Sequence, residues 1–110
     1  MKAVFKKANQ AYSSTGDIDN SLKALQQYIG GYIQTLTIPR TKLIIIMDKK
    51  SKQKKKITNI RLGRDVIAGD IIITALDGRG NFRDLTLEEI DKAVKFLKAH
   101  SCRKQGEYYG

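Results

Sequence analysis

A lysine-rich segment is the most conspicuous chemical feature of the sequence. Residues 49–56 follow Asp48 and contain six ammonium side chains: Lys49, Lys50, Lys52, Lys54, Lys55 and Lys56. Lysines near a polyanion release its counterions and so give affinity without sequence selectivity. If all six contacted phosphates, the log–log slope of affinity against salt would be roughly −5. A charged loop that only keeps strand edges soluble is the alternative, and the sequence leaves both open.

Two arginines could extend this basic surface. Arg61 and Arg64 follow the lysines within a few residues. The segment itself has no aromatic residue to stack on a base and no arginine to read a guanine edge, so we expect no sequence-specific readout.

Nucleophilic and metal chemistry find little support in the sequence. Nucleophilic catalysis needs a base beside the nucleophile, and the one histidine, His100, adjoins Ser101 and Cys102 only in sequence. One His and one Cys cannot fill a tetrahedral metal site without distant carboxylates. We expect His100 to be a solvated residue near a helix C-terminus.

Acidic residues and glycines have plainer interpretations as turn and cap residues. Asp65, Asp70, Asp77 and Asp84 could in principle bind magnesium or act as an acid and base pair. Each lies instead in a predicted turn or connection or just before the last helix, where short polar side chains cap backbone groups. Gly78-Arg79-Gly80 lacks the further glycines and the adjoining helix of a phosphate loop and predicts a turn. The sequence therefore predicts a protein that is not an enzyme and has no cofactor or metal.

Composition limits the class of protein. The 110 residues suit one domain, and 41% hydrophobic residues with a single proline indicate a globular chain. The net charge of +10 favours attraction to nucleic acid or an acidic protein surface. A lone cysteine, the absence of a signal-like N-terminus and the short apolar run Leu43–Met47 predict a cytoplasmic protein with no membrane association.

The first half of the chain predicts a strand, a helix and two paired strands. Residues 2–6 alternate as a short strand, and residues 12–17 read as a polar turn. Leu22, Leu25 and Ile29 form the apolar stripe of a helix that ends at Gly30-Gly31. The next two segments, Tyr32–Ile38 and Leu43–Met47, predict antiparallel strands. The second is apolar throughout, which indicates a central strand or one covered by a partner, so the oligomeric state stays open.

The second half predicts two more strands and a helix. Ile57–Leu62 would return beside the preceding strand, which makes residues 49–56 the tip of a hairpin projecting into solvent. Asp70–Ala75 predicts another strand. Thr86–Glu89 is a capping box, with Leu85 and Ile90 as a hydrophobic staple. The buried face of this helix is predicted to contain Leu87, Ile90, Val94 and Leu97.

These elements predict an α+β fold in which a small antiparallel sheet carries two main helices. We expect one domain over residues 1–100, followed by a mobile polar tail over residues 101–110.

Several segments resemble the DUF3846 family of small phage and mobile-element proteins. The resemblance begins at Leu22–Ile33, with its leucine, glutamine and Gly-Gly-Tyr pattern, and continues through Asp48, Asn59, Val66–Gly69 and Asp84–Glu89. Family members often have a short acidic or glycine-bearing hairpin where this chain has its lysines. The resemblance implies an accessory protein in a bacterial host and assigns no catalytic residue.

Proteins of this kind often inhibit host defences, including CRISPR nucleases. The resemblance, together with the small size, the absence of a catalytic centre and the charged loop, therefore implies a non-enzymatic protein that inhibits a host defence system by binding, such as an anti-CRISPR that acts on an effector nuclease or its guide-RNA complex. The expected partner is a host defence protein or a ribonucleoprotein. The alternative is a nonspecific nucleic-acid-binding accessory protein that contacts RNA or DNA through the lysine-rich loop.

Overall fold

The computed structural model describes residues 1–102 and confirms the α+β class, with an antiparallel sheet and two helices. Its elements follow the chain in the order β1 (Lys2–Lys6), β2 (Ser14–Asp17), α1 (Leu22–Ile29), β3 (Ile33–Thr37), β4 (Leu43–Asp48), β5 (Thr58–Leu62), β6 (Asp65–Ala68), β7 (Ile71–Leu76), β8 (Phe82–Arg83) and α2 (Leu87–His100).

The main sheet has the strand order β2-β1-β7-β4-β3, with β8 paired to β7, and β5 and β6 form a separate two-stranded sheet. All of these pairs are antiparallel. The predicted pairing of the third and fourth strands is confirmed, with Ile33 opposite Asp48. β4 is an interior strand whose residues from Leu43 to Ile46 are all buried, which explains its continuous apolar run.

Both faces of the main sheet are covered by the chain itself. On one face α1 packs Leu25 and Ile29 onto Ile46 and Ile72. On the other face α2 and the β5–β6 hairpin supply Leu97, Ile60 and Ile67, which pack against Ile45 and Ile73. The apolar run in β4 is therefore buried without a second subunit.

Two sequence predictions of local structure were wrong. Residues 14–17 form the edge strand β2, because a polar segment can still pair through its backbone with β1. The segment 57–62 does not return beside β4, since β5 pairs with β6 instead. Residues 49–56 therefore connect two different sheets and are not a hairpin tip.

The capping box of α2 is confirmed, but the buried faces of the two helices were only partly predicted. Ser21 caps α1, and Thr86 with Glu89 forms the predicted capping box of α2. Leu22 and Leu87 are exposed, and Val94 lies at the surface. Leu85, just before α2, fills the core at that end of the helix, and the face of α2 that meets the sheet carries Ile90, Ala93 and Leu97.

The end of the described chain packs onto β5. Ser101 is buried and forms an isolated bridge with Ile60, and the backbone N–H of Cys102 donates to the Asn59 carbonyl at 2.8 Å. The rest of the predicted tail, residues 103–110, lies outside the described residues. No helix within residues 1–102 is long and apolar enough to span a bilayer.

Candidate functional site

Asp48 ends β4 at the base of the lysine-rich loop and organises it. Its carboxylate is 1% exposed and lies 2.9 Å from Lys54 Nζ and 2.7 Å from Lys56 Nζ. It also accepts a hydrogen bond from the backbone N–H of Lys50 at 2.9 Å. Two of the six lysines are thus drawn back towards the start of their own loop.

The same two ammonium groups bind the C-terminal end of α1. Lys56 Nζ donates to the Ile29 carbonyl at 2.8 Å, and Lys54 Nζ donates to the Gly30 carbonyl at 3.1 Å. The last carbonyls of a helix have no intrahelical partner and carry the negative end of its dipole, so cations are favoured there. We call Asp48, Lys54 and Lys56 the lysine clamp, because they fasten the loop to both β4 and α1.

The clamp side chains lie close to Gly31, just after the end of α1. A Cβ at Gly31 would lie 2.5 Å from Lys54 Nζ and 2.8 Å from each Asp48 carboxylate oxygen. At Gly69 a Cβ would lie 2.8 Å from Lys56 Cδ, and the φ of 83° there is also one that favours glycine. These glycines leave the space that the clamp side chains occupy.

The clamp keeps Asp48 ionised despite its burial. Burial is the largest single influence on its pKa and raises it, but hydrogen bonds from Lys56, Lys54 and the Lys50 backbone together outweigh burial. The pKa of Asp48 is lowered from 3.8 to about 2. The buried carboxylate is therefore charged and matched by cations at neutral pH.

The backbone between the two ends of the loop is folded back on itself. Ser51 is buried and receives the backbone N–H of Lys56 on its carbonyl at 3.0 Å, and Lys54 N–H donates to the Lys50 carbonyl at 3.0 Å. The four remaining lysines are exposed. We call them the lysine platform: Lys49, Lys50, Lys52 and Lys55.

The predicted basic residues lie on the loop and on the β5–β6 hairpin that follows it. Lys49 to Lys56 form the clamp and the platform described above. Arg61 is exposed on β5 beside the end of α2, where its carbonyl lies 3.0 Å from His100 Nδ1. Arg64 is exposed in the turn between β5 and β6.

The acidic residues considered for catalysis have local structural contacts. Asp77 accepts the backbone N–H groups of Arg79 and Asn81 across its turn, at 2.8 and 3.0 Å. Asp70 accepts the N–H of Ala8 at 2.9 Å, and Asp84 accepts that of Lys2 at 2.8 Å. Within residues 1–102 no group of three or more His, Cys, Asp or Glu side chains could hold a metal ion.

A buried polar network behind the loop was missed by sequence reasoning. Lys6 is 1% exposed, and its Nζ donates to Asn59 Oδ1 at 2.8 Å and to the Gln10 carbonyl at 2.6 Å. Asn59 Nδ2 in turn donates to the carbonyls of Lys6 and Gly69 at 2.9 and 2.8 Å. Strand alternation was the available signal, since Lys6 shares the face of the core residue Val4.

These features define a small α+β domain whose most basic segment is fastened to its sheet and helix through a buried carboxylate. Residues 1–98 match the family model described as Domain of unknown function (DUF3846), and the chain belongs to this family. No significant match was found among curated proteins or among solved structures. Several residues that carried the family resemblance meet at one place in the fold: Gly30 and Gly31 at the clamp, with Gly69 against Lys56 and Asn59 behind it.

Proposed function

We propose that this protein is a non-enzymatic binding protein that contacts nucleic acid through the lysine platform. The observation that carries the proposal is the exposure of four lysines on one loop whose single carboxylate, Asp48, is already neutralised inside the clamp. The net charge of +10 adds a long-range attraction to the same class of partner.

The clamp also favours binding by holding the loop in one arrangement before a partner arrives. Ordering a flexible loop on binding costs conformational entropy, and a loop that is already tied down loses less. Backbone hydrogen bonds within residues 48–56 add to this preorganisation. The platform lysines are exposed side chains on a backbone that is held by hydrogen bonds, which suits contact with phosphates of varied sequence.

A salt titration with a matched variant tests the proposal. With four phosphate contacts, the log–log slope of affinity against salt should be about −4 on duplex DNA and about −3 on single strands. Replacing all four platform lysines with serine should reduce affinity at low salt by roughly 100-fold and flatten the slope. Fluorescence anisotropy with labelled oligonucleotides measures both quantities.

The control variant makes the same charge change elsewhere on the surface. Four exposed lysines outside the loop are replaced with serine: Lys23, Lys42, Lys92 and Lys98. This variant should keep most of the affinity, because it removes only long-range attraction. Equal losses in the two variants would show that net charge, and not the platform, provides the binding. No binding of the wild type at low salt would overturn the proposal.

Inhibition of a host defence system stays a prediction that follows from the family resemblance. The basic channels of a CRISPR effector are poorly matched to a basic protein, so such an inhibitor would use the platform against guide RNA or an acidic protein surface. Cleavage assays with purified defence nucleases test this hypothesis. Rates that are unchanged with every nuclease and ribonucleoprotein would count against it.

A further inference from the structure

We infer that the nucleic acid bound by the platform is single-stranded, with an unpaired base held in a groove beside the loop. The inference rests on the proposed function and narrows it to one class of partner. It depends on a groove between the loop, β3 and β6, and on an exposed tyrosine next to that loop.

The groove has a volume of about 400 Å³ and combines an apolar surface with polar and cationic side chains. Its apolar lining residues include Leu36, Met47 and Val66, and two amide residues, Gln34 and Gln53, also line it. Lys49 and Lys52 of the platform also line it. Amides can pair with the hydrogen-bonding edge of a base, while the lysines lie where the attached phosphates would follow.

Tyr32 supplies the aromatic group that the loop lacks. The backbone N–H of Lys49 donates to the Tyr32 carbonyl at 2.9 Å, which continues the β3–β4 register beyond the Ile33–Asp48 pair. Tyr32 is 69% exposed, so its ring is available for stacking. Base stacking on an aromatic ring beside a basic surface is the usual basis of binding to single strands.

Residues 49–56 contain no aromatic side chain, so the sequence pattern of the loop does not indicate this tyrosine. Tyr32 precedes the loop by 17 residues in the chain and reaches it only through the pairing of β3 with β4.

A duplex does not use these features. Its bases are paired and stacked inside the helix, so neither an apolar groove nor an exposed ring gains contact with their faces. Asp65 also lines the groove, and its carboxylate repels phosphates but accepts hydrogen bonds from base amino groups. The charge arrangement therefore favours a base in the groove and phosphates along the lysines.

Binding of single strands and duplexes of equal length and matched sequence tests the inference, with RNA and DNA versions of each and inorganic polyphosphate as a charge-only probe. Tyr32→Ala should weaken single-strand binding by at least about 5-fold, as expected for the loss of one stacked base. Duplex and polyphosphate binding should change by less than about 2-fold, because they depend on the lysines.

Tyr12→Ala is the matched control, since Tyr12 is 61% exposed and lies just before β2 at the opposite edge of the sheet. Thermal melting verifies that both variants remain folded.

The outcomes separate this inference from the proposed function. Equal wild-type affinity for single strands and duplexes, with Tyr32→Ala binding normally, would overturn the inference and leave platform binding intact. No binding to any polyanion would overturn the proposed function itself. A dimer in sedimentation that Leu36→Asp converts to a monomer, without loss of single-strand affinity, would show that a second copy of the chain covers the groove.

Discussion

The two sets of lysines in the loop differ in role although both lie within one short segment. Lys54 and Lys56 contact a buried carboxylate and two helix carbonyls, with side-chain exposures of 41% and 23%. The platform lysines are exposed and lie on the same backbone. Two lysines stabilise the shape of the loop, and four are left to present its charge.

This difference shows that counting lysines overestimates the contacts that a basic segment can make. Moving Lys54 or Lys56 to a phosphate would leave Asp48 buried with less compensation, which is costly. The proposed binding surface therefore has four lysines and a smaller salt dependence than six would give. Changes that disturb the clamp should therefore affect binding by the platform only indirectly.

Asp48→Asn should have the largest effect on folding. The amide keeps the shape and can still accept the Lys50 N–H, but it leaves Lys54 and Lys56 beside an uncharged group. Removing one partner of a buried pair costs about 3–5 kcal/mol, and both lysines retain access to water, so we expect a loss of about 3 kcal/mol. Urea unfolding of the variant and the wild type measures the difference.

Asp91→Asn is the control for that experiment. Asp91 pairs with Lys95 at 2.9 Å on the surface of α2, where both side chains are more than half exposed. An exposed pair of this kind contributes at most about 0.5 kcal/mol. A loss in Asp48→Asn no larger than in this control would show that the clamp does not stabilise the fold.

Lowering the pH should have the second-largest effect on the free energy of unfolding, because it weakens the clamp. The folded-state pKa of Asp48 is about 2, below its ordinary 3.8, so between these values the unfolded chain takes up a proton that the folded chain does not. Stability from this group is present above pH 4 and falls as the pH drops towards 2, by on the order of 2 kcal/mol.

The Glu89 carboxylate also changes the free energy of unfolding over a similar pH range. Hydrogen bonds from Arg83 are the main reason that the pKa of Glu89 is lowered from 4.5 to about 2. The contribution of Asp48 is therefore read from the gap in unfolding free energy between wild type and Asp48→Asn. This gap should narrow as the pH falls, and a gap that stays constant from neutral pH to pH 2 would contradict the clamp.

Much of the fold could be predicted from local patterns. The capping box at Thr86–Glu89, the helix end at Gly30 and the apolar run of β4 each depend on neighbouring residues, and each was confirmed. Strand β2 was missed because its residues are polar and its pairing is supplied by β1. Leu87 was misplaced because periodicity does not show that Leu85 fills the core at the start of α2.

The candidate site was harder to predict because its contacts are long-range. The lysines are evident from the sequence, but which of them belong to the clamp and which to the platform is not. That distinction depends on Asp48 at the end of β4 and on the carbonyl of Ile29, which precedes Lys56 by 27 residues. The wrong expectation of a hairpin had the same origin. Local patterning predicted β5 as a strand and could not show that its partner is β6.

Gly31→Ala should cause the smallest of the three folding effects and discriminates most sharply between clamp and platform. The new methyl group would displace Lys54 Nζ and crowd the Asp48 carboxylate, at an expected cost of about 1–2 kcal/mol. Gly78→Ala is the matched control, since a Cβ there meets no atom within 4 Å and its φ is not one that requires glycine. If the clamp only fixes the loop, Gly31→Ala should lower the unfolding midpoint while nucleic-acid affinity falls by less than that of the platform variant. If the stability of Gly31→Ala is unchanged, the contacts of Lys54 in the clamp do not stabilise the fold. Lys54 would then be a fifth lysine available to contact a partner.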